Sequence, residues 1–144
     1  MSQPRHSVSV AAVITDNTGR VLVIQRRDNG AWQIPGGILE LGETIEEGLR
    51  REVKEETGVD VEPIRLTGVY KNMRLGVVAL VFRATVTGGT PGPTEESAAV
   101  DWWPIERATA EMNETFTVRV LDALRDEPAP VIRHHDGVRL IDVP

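Results

Sequence analysis

Runs of apolar residues, alternating or continuous, divide the chain into predicted strands. Residues 7–15 and 20–26 flank the turn sequence Asp-Asn-Thr-Gly and predict two neighbouring strands. Residues 75–86 are apolar on both alternating faces, which predicts a central strand of a sheet. Residues 32–35 predict a short extended piece that ends at Pro-Gly-Gly without a further regular element. Two more segments read as strands, residues 61–71 and 100–103.

A helix is predicted over residues 44–57 because its ends and its buried face are all specified. Thr44 and Glu47 have the spacing of a capping box at the N-terminus. Gly58 is typical of the left-handed residue that follows a helix. The buried face is predicted from apolar residues at every fourth position: Ile45, Leu49 and Val53.

The second half of the chain predicts shorter elements. A brief helix is expected from Ile105, and an amphipathic helix over residues 115–126. Residues 131–143 are expected to form a small hairpin, which covers its own sheet or pairs with a second subunit. The pattern therefore predicts a single α/β domain over residues 1–144, built mainly from hairpins.

Three glutamates on the first helix suggest chemistry. Glu52, Glu55 and Glu56 lie at positions i, i+3 and i+4, within an arc of roughly 100°. Glu56 is expected at the edge of the apolar face, where desolvation of a carboxylate is costly unless a cation compensates it. Hard divalent cations prefer such oxygen ligands. The alternative is a solvated acidic surface, balanced by the basic residues of the same helix: Arg50, Arg51 and Lys54.

The surrounding sequence favours the metal-binding interpretation. Residues 37–59 match a 23-residue signature. It consists of Gly37, five residues, Glu43, seven residues, and then Arg-Glu-Val-Lys-Glu-Glu-Thr-Gly-Val at residues 51–59. On this motif the chain resembles the Nudix (MutT-like) hydrolase family, and the preceding Trp-Gln-Ile-Pro-Gly-Gly of residues 32–37 is similar to the usual lead-in.

The resemblance implies a fold, a reaction and a set of site residues. The fold would be the Nudix fold, an α/β/α sandwich with a mixed β-sheet, and the reaction a metal-dependent hydrolysis of a nucleoside diphosphate linkage. The metal would be Mg²⁺, with Mn²⁺ as a substitute. Gly37 would let the loop backbone approach the metal and the phosphates, Arg51 would orient a glutamate, with Glu55 favoured, and Glu43 would support the site. The implied metal ligands are Glu52, Glu55 and Glu56, together with the backbone at Gly37.

The resemblance points less specifically to a general base and to substrate contacts. Glu96 lies six residues before Trp102, the spacing of a family segment that faces the metal, and Glu95 is its neighbour. Arg26 and Arg27 end the second predicted strand, where they would meet phosphates or solvent. Trp32 would stack on a base or pack under the loop that contains Gly36 and Gly37, and these two glycines are also expected to contact the substrate.

Composition narrows the partners. The formal charge of −6 and the pI near 5.1 argue against a nucleic-acid polymer or an anionic membrane as partner. The absence of cysteine is compatible with a cytoplasmic location and excludes thiolate ligands. No apolar run approaches the roughly 20 residues of a membrane span. A homodimer remains an open expectation.

The leading hypothesis is an enzyme that converts a nucleoside triphosphate, oxidised or not, to a monophosphate and pyrophosphate. The alternative within the family is a nucleotide-sugar or dinucleoside polyphosphate pyrophosphohydrolase. Proline or tyrosine markers of those subfamilies would fall some sixteen residues after residue 59, where this chain has Leu75 and Gly76. A third reading is a nucleotide-sensing domain without catalysis, which the intact motif disfavours.

Overall fold

The computed structural model describes residues 4–141. Its elements follow in the order β1 (Ser7–Ile14), β2 (Val21–Arg26), β3 (Trp32–Gln33), β4 (Gly36–Ile38), α1 (Ile45–Thr57), β5 (Val59–Asn72), β6 (Val77–Gly89), β7 (Ser97–Trp103), α2 (Ile105–Glu111), α3 (Glu114–Ala123), β8 (Val131–His135) and β9 (Leu140–Ile141).

The strands form two sheets. The larger sheet is mixed and has the order β4-β1-β6-β5-β8-β9, with β1 parallel to β6 and β5 parallel to β8. The smaller sheet is antiparallel and has the order β3-β2-β7. The prediction of a central strand at residues 75–86 is confirmed, because β6 lies between β1 and β5.

Helices cover both faces of the large sheet. On one face, Val10 and Ala12 of β1 are fully buried with Leu49 and Val53 of α1. On the other face, the neighbouring residues of β1 pack in a second cluster with α2 and α3. Because successive strand residues point to opposite faces, the continuous apolar run of β1 supplies both cores. The result is the expected sandwich of helices around a mixed sheet.

Helix α1 begins and ends where the sequence predicts. The Thr44 Oγ1 accepts a hydrogen bond from the Glu47 backbone N–H at 3.2 Å, and Gly58 follows the helix in the left-handed conformation with φ of 83°. Leu49 and Val53 are fully buried, but Ile45 is 38% exposed. The prediction that Ile45 belongs to the core is wrong, because the first turn of the helix and the loop before it lie at the surface.

The glycines at residues 36 and 37 do not end regular structure as predicted. They begin β4, which pairs antiparallel with β1 through the partners Gly36 with Ala11 and Gly37 with Val10. A Cβ at Gly36 would collide with the backbone of β1 at Val10 and Ala11. The missing side chain therefore permits a close strand approach rather than a turn.

The C-terminal hairpin extends the large sheet of its own chain. Strand β8 pairs in parallel with residues 68–72 of β5, and β9 pairs antiparallel with β8. The last predicted residues of the hairpin, 142–143, lie outside the described residues. Helix α3 ends at Ala123, three residues before its predicted end. No helix in residues 4–141 is long and apolar enough to cross a membrane.

Candidate metal-binding cleft

Arg51 organises the acidic face of α1. Its Nε and Nη2 donate to the two carboxylate oxygens of Glu43 at 2.9 and 2.6 Å, a bidentate pair. Its Nη1 donates to Glu52 at 2.8 Å and to Glu55 at 3.3 Å. The hydrogen bonds from Arg51 hold the pKa of Glu43 at about 2, well below its ordinary value. Arg51 therefore orients Glu52 more closely than Glu55, whereas the sequence favoured Glu55 as its partner.

Three carboxylates from two distant segments converge beside this arginine. Glu52 and Glu55 of α1 and Glu96 of the loop before β7 each offer an oxygen atom, and these atoms lie within 4.8 Å of one another. Burial raises the pKa of Glu52 above its ordinary value, opposed by its hydrogen bond from Arg51. Like charges at this separation repel one another unless a cation or a proton compensates them.

Glu56 is the most buried carboxylate of α1, with 7% of its surface exposed. Its Oε1 accepts a hydrogen bond from the Gly36 N–H at 2.7 Å. Burial raises its pKa to about 8, with further contributions from the nearby charges of Glu52 and Glu96. Without a bound cation, Glu56 therefore holds a proton at neutral pH.

Two glycines make room for this acidic face. A Cβ at Gly37 would collide with the carboxylate of Glu52, so glycine at this position leaves that carboxylate in its place. A Cβ at Gly48 would collide with Leu39 and would approach the Glu43 carboxylate to 2.8 Å. Gly48 therefore accommodates the loop that carries Glu43.

The donor set fits a hard divalent cation. Carboxylate oxygens from Glu52, Glu55 and Glu96 surround one point, and no nitrogen or sulfur ligand contributes to this cluster. A cation there would compensate the clustered negative charge. The metal site predicted from the sequence contained Glu52, Glu55 and Glu56. The structure brings the first two together with Glu96, while Glu56 lines the adjoining cavity, so that its role as a ligand stays a prediction.

Three adjoining cavities form a cleft that begins beside the acidic cluster. The metal-side cavity, about 360 Å³, shares Arg26, Gln33 and Gly36 with the middle cavity. The middle cavity, about 210 Å³, shares Phe116 and Arg119 with the inner cavity, about 330 Å³. The metal-side cavity is lined by residues from three segments: Arg26, Arg27, Asp28, Gln33, Gly36, Glu56, Glu95 and Glu96.

The predicted substrate contacts have different surroundings. Arg26 lines all three cavities and forms an ion pair with Asp28. Arg27 donates hydrogen bonds to the backbone carbonyls of Thr94 and Glu95 at 2.6 and 3.1 Å, which ties the loop of Glu96 to β2. Trp32 packs on Trp103, with 4.7 Å between the ring centroids. The substrate-binding roles of Arg26, Arg27 and Trp32 stay predictions.

Two residues of the middle cavity, Gln33 and Arg119, were not predicted from the sequence as site residues. The one available signal was a charged residue, Arg119, three positions after Phe116 and next to the apolar stripe of α3. Such a position on a helix faces the core rather than the solvent.

The fold has a mixed sheet between helices, and a carboxylate cluster lies at the mouth of a cleft. These features define an α/β protein with a site for a hard cation. A family model described as the NUDIX domain matches residues 5–124. The chain therefore belongs to the Nudix family of hydrolases and is an enzyme of that class.

Comparison with known proteins agrees with this assignment. A MutT-like protein of Streptomyces ambofaciens is 52% identical over 140 residues, which cover 97% of this chain and 90% of the relative. An ADP-ribose pyrophosphatase of Methanocaldococcus jannaschii is 39% identical over 90 residues, 58% of this chain and 53% of that relative. A solved Nudix hydrolase of Nitrosomonas europaea superposes with a TM-score of 0.80 at 23% identity, covering 93% of this chain and 82% of the other, a likeness of fold.

Proposed function

We propose that the protein hydrolyses a nucleoside triphosphate to a nucleoside monophosphate and pyrophosphate, with Mg²⁺ bound at the acidic face of α1. The convergence of Glu52, Glu55 and Glu96 within 4.8 Å carries this proposal. When bound, Mg²⁺ supplies neutralisation of the phosphate charge and a more acidic water for attack at phosphorus. Mn²⁺, which also prefers oxygen ligands, is the expected substitute.

The chain's own residues bind and orient. Glu52 and Glu55 would hold the cation directly, and Arg51 keeps Glu52 in place by its 2.8 Å hydrogen bond. Glu43 holds Arg51 in turn, so its contribution acts through the arginine. The backbone at Gly37 can lie close to metal and phosphate because no side chain intervenes.

Glu56 and Glu96 are the two candidates for proton transfer. Glu96 lies in the carboxylate cluster and also lines the metal-side cavity, where an attacking water would enter. Glu56 is buried against Gly36 and holds its proton at neutral pH until a cation binds nearby. We assign the general base to Glu96, because its carboxylate lies both in the acidic cluster and at the cavity where an attacking water would enter.

Arg26 is the cation of the cleft that is placed to meet substrate phosphates. Arg26 lines every cavity between the acidic cluster and the inner end, where it can meet the phosphates of a substrate that enters in extended form. The relative from Methanocaldococcus jannaschii supports a second candidate, hydrolysis of ADP-ribose, whose diphosphate would occupy the same place. We place the triphosphate first, because Leu75 and Gly76 replace the subfamily markers named above.

A substrate panel separates the candidates. Purified protein with MgCl₂ would be given the four deoxynucleoside triphosphates, 8-oxo-dGTP, ADP-ribose and diadenosine tetraphosphate, and the products would be resolved by anion-exchange chromatography. The proposal predicts monophosphate and pyrophosphate from at least one triphosphate, and loss of turnover in Glu55→Gln. Faster turnover of ADP-ribose than of every triphosphate would replace the first candidate by the second. The cytoplasmic location, the single domain and the homodimer remain predictions.

A further inference from the structure

Arg119 is a buried cation with no counter-ion in the described part of the chain. Only 8% of its surface is exposed, and it lines both the middle and the inner cavity. Its guanidinium lies over the rings of Tyr70 and Phe116, with Cζ 5.0 Å from each centroid. Its Nε is buried and has no hydrogen-bond partner among residues 4–141. A buried guanidinium without acceptors is costly unless a ligand supplies them.

Among residues 4–141, the one side-chain hydrogen-bonding group in contact with the guanidinium does not supply an acceptor. Nη2 of Arg119 lies 3.4 Å from Nε2 of His135. The Nδ1 of the same ring accepts a hydrogen bond from the Gly137 N–H at 3.0 Å, so the proton of the neutral ring lies on Nε2. Burial and the charge of Arg119 lower the pKa of His135, which keeps the ring neutral. The contact therefore joins two donors, and both face the same cavity.

The carboxylate of Asp122, which contacts Tyr70, already has its hydrogen-bond partners. Asp122 accepts hydrogen bonds from both ends of the Arg133 guanidinium at 2.7 and 2.8 Å and from the Tyr70 hydroxyl at 2.7 Å. No aspartate or glutamate occurs among the described residues that line the middle and inner cavities. The inner end of the cleft thus presents donors and positive charge, the reverse of the acidic cluster at its mouth.

We propose that Arg119 selects the base of the substrate by donating to two neighbouring acceptors, as presented by O6 and N7 of guanine, with the base against Phe116. Guanine offers two acceptors on this edge, whereas adenine offers N7 and the N6 amino group, a donor that would oppose a donor. This proposal rests on the proposed triphosphatase function in one respect. If the diphosphate lies at the acidic cluster, the base extends towards the inner cavity.

The walls of the inner cavity favour a base over a phosphate group as the occupant. Leu75, Val77 and Ala79 supply an apolar wall, and Phe116 supplies an aromatic one. A flat ring can bury its faces against such walls while its edge meets the guanidinium. A phosphate would lose most of its hydration there for a single unpaired cation.

Binding of reaction products tests the inference without any turnover. Isothermal titration calorimetry in EDTA would compare dGMP, dAMP, dIMP and 7-deaza-dGMP on the wild-type protein. We expect dGMP and dIMP, which share O6 and N7, to bind about tenfold or more tightly than dAMP. The 7-deaza analogue lacks the N7 acceptor and should bind several-fold more weakly than dGMP. Equal affinity for dGMP and dAMP would overturn the inference, even if triphosphates are hydrolysed.

Substitution of the arginine assigns the preference to this residue. Arg119→Met should reduce the dGMP to dAMP ratio below about threefold, and Arg119→Gln, which can pair with adenine, should shift it towards dAMP. Arg107→Met is the matched control, because Arg107 also lies over an aromatic ring, Trp103 at 4.1 Å, but lines none of the three cavities. Equal weakening of dGMP and dAMP in Arg119→Met would show that Arg119 holds the phosphate instead. The ligand series on the wild-type protein decides the matter if the variants do not fold.

Discussion

The buried carboxyl group of Glu56 makes the metal-free protein sensitive to pH in a direction opposite to ordinary surface glutamates. A carboxyl group whose pKa is higher in the folded protein than in the unfolded chain destabilises the fold as the pH rises, because the unfolded chain releases this proton first. The pKa of Glu56 rises from 4.5 to about 8, so the loss begins near pH 4.5 and is complete above pH 8. With about 1.4 kcal/mol for each pH unit, the loss is roughly 3 kcal/mol at pH 7 and approaches 5 kcal/mol above pH 8.

Glu56→Gln removes this ionisation and keeps an oxygen that can accept the Gly36 N–H. We expect the variant to resemble the wild type at pH 5 and to exceed its free energy of unfolding by about 4 kcal/mol at pH 8.5. Urea unfolding in EDTA, at pH 5, 7 and 8.5, measures this difference. Glu46→Gln, on the exposed first turn of α1 and outside the acidic cluster, is the control for loss of a surface charge.

Addition of MgCl₂ should narrow the difference in stability between the wild type and Glu56→Gln. A cation beside Glu56 favours the ionised carboxylate, so the wild type gains stability from the metal while Glu56→Gln gains less. Parallel pH profiles for wild type and Glu56→Gln in EDTA would refute the account of the buried carboxyl group. An equal gain from Mg²⁺ in both proteins would place the cation away from Glu56.

Three further perturbations test the surroundings of the site. Gly37→Ala should displace the Glu52 carboxylate and lower kcat/KM by about tenfold or more with little change in Tm, which steady-state kinetics and thermal unfolding would measure; unchanged kinetics would contradict the close packing. Glu43→Gln should destabilise the protein at pH 7 but not near pH 2. The hydrogen bonds from Arg51 depress the pKa of Glu43 to about 2, and their contribution to stability is lost as the pH falls from 4.5 towards that value. Urea unfolding at both pH values should show that the difference between variant and wild type vanishes at the lower one. Leu49→Ala, at a fully buried position, should cost about 2 to 5 kcal/mol of unfolding free energy, and a cost below 1 kcal/mol would contradict its core position.

Local patterns predicted the elements that depend on local causes. The ends of α1 follow from Thr44 and Gly58, and the central position of β6 follows from its two apolar faces. The strand at residues 36–38 was missed, because its glycines serve a close approach to β1 that only the partner strand reveals. Ile45 was misplaced because a repeat of four residues does not show where a helix passes the edge of its core.

The acidic site was predictable only as far as local spacing along the chain determines it. Glu52 and Glu55 are neighbours on one helix, so their spacing alone places them together. Glu96 lies more than forty residues away, and only the resemblance to a family suggested it. The position of Arg119 beside the apolar stripe of α3 indicated burial but not a role in the cleft, because Tyr70 and His135, which it contacts, lie elsewhere in the sequence.

The most direct test of the central claim is product analysis of triphosphate hydrolysis at increasing Mg²⁺ concentration, in the wild type and in Glu55→Gln. The account predicts monophosphate and pyrophosphate in equal amounts, a rate that saturates with Mg²⁺ and vanishes in EDTA, and a loss of at least about 100-fold in the variant. Turnover that persists in EDTA, full activity of Glu55→Gln, or diphosphate and inorganic phosphate as products would contradict it.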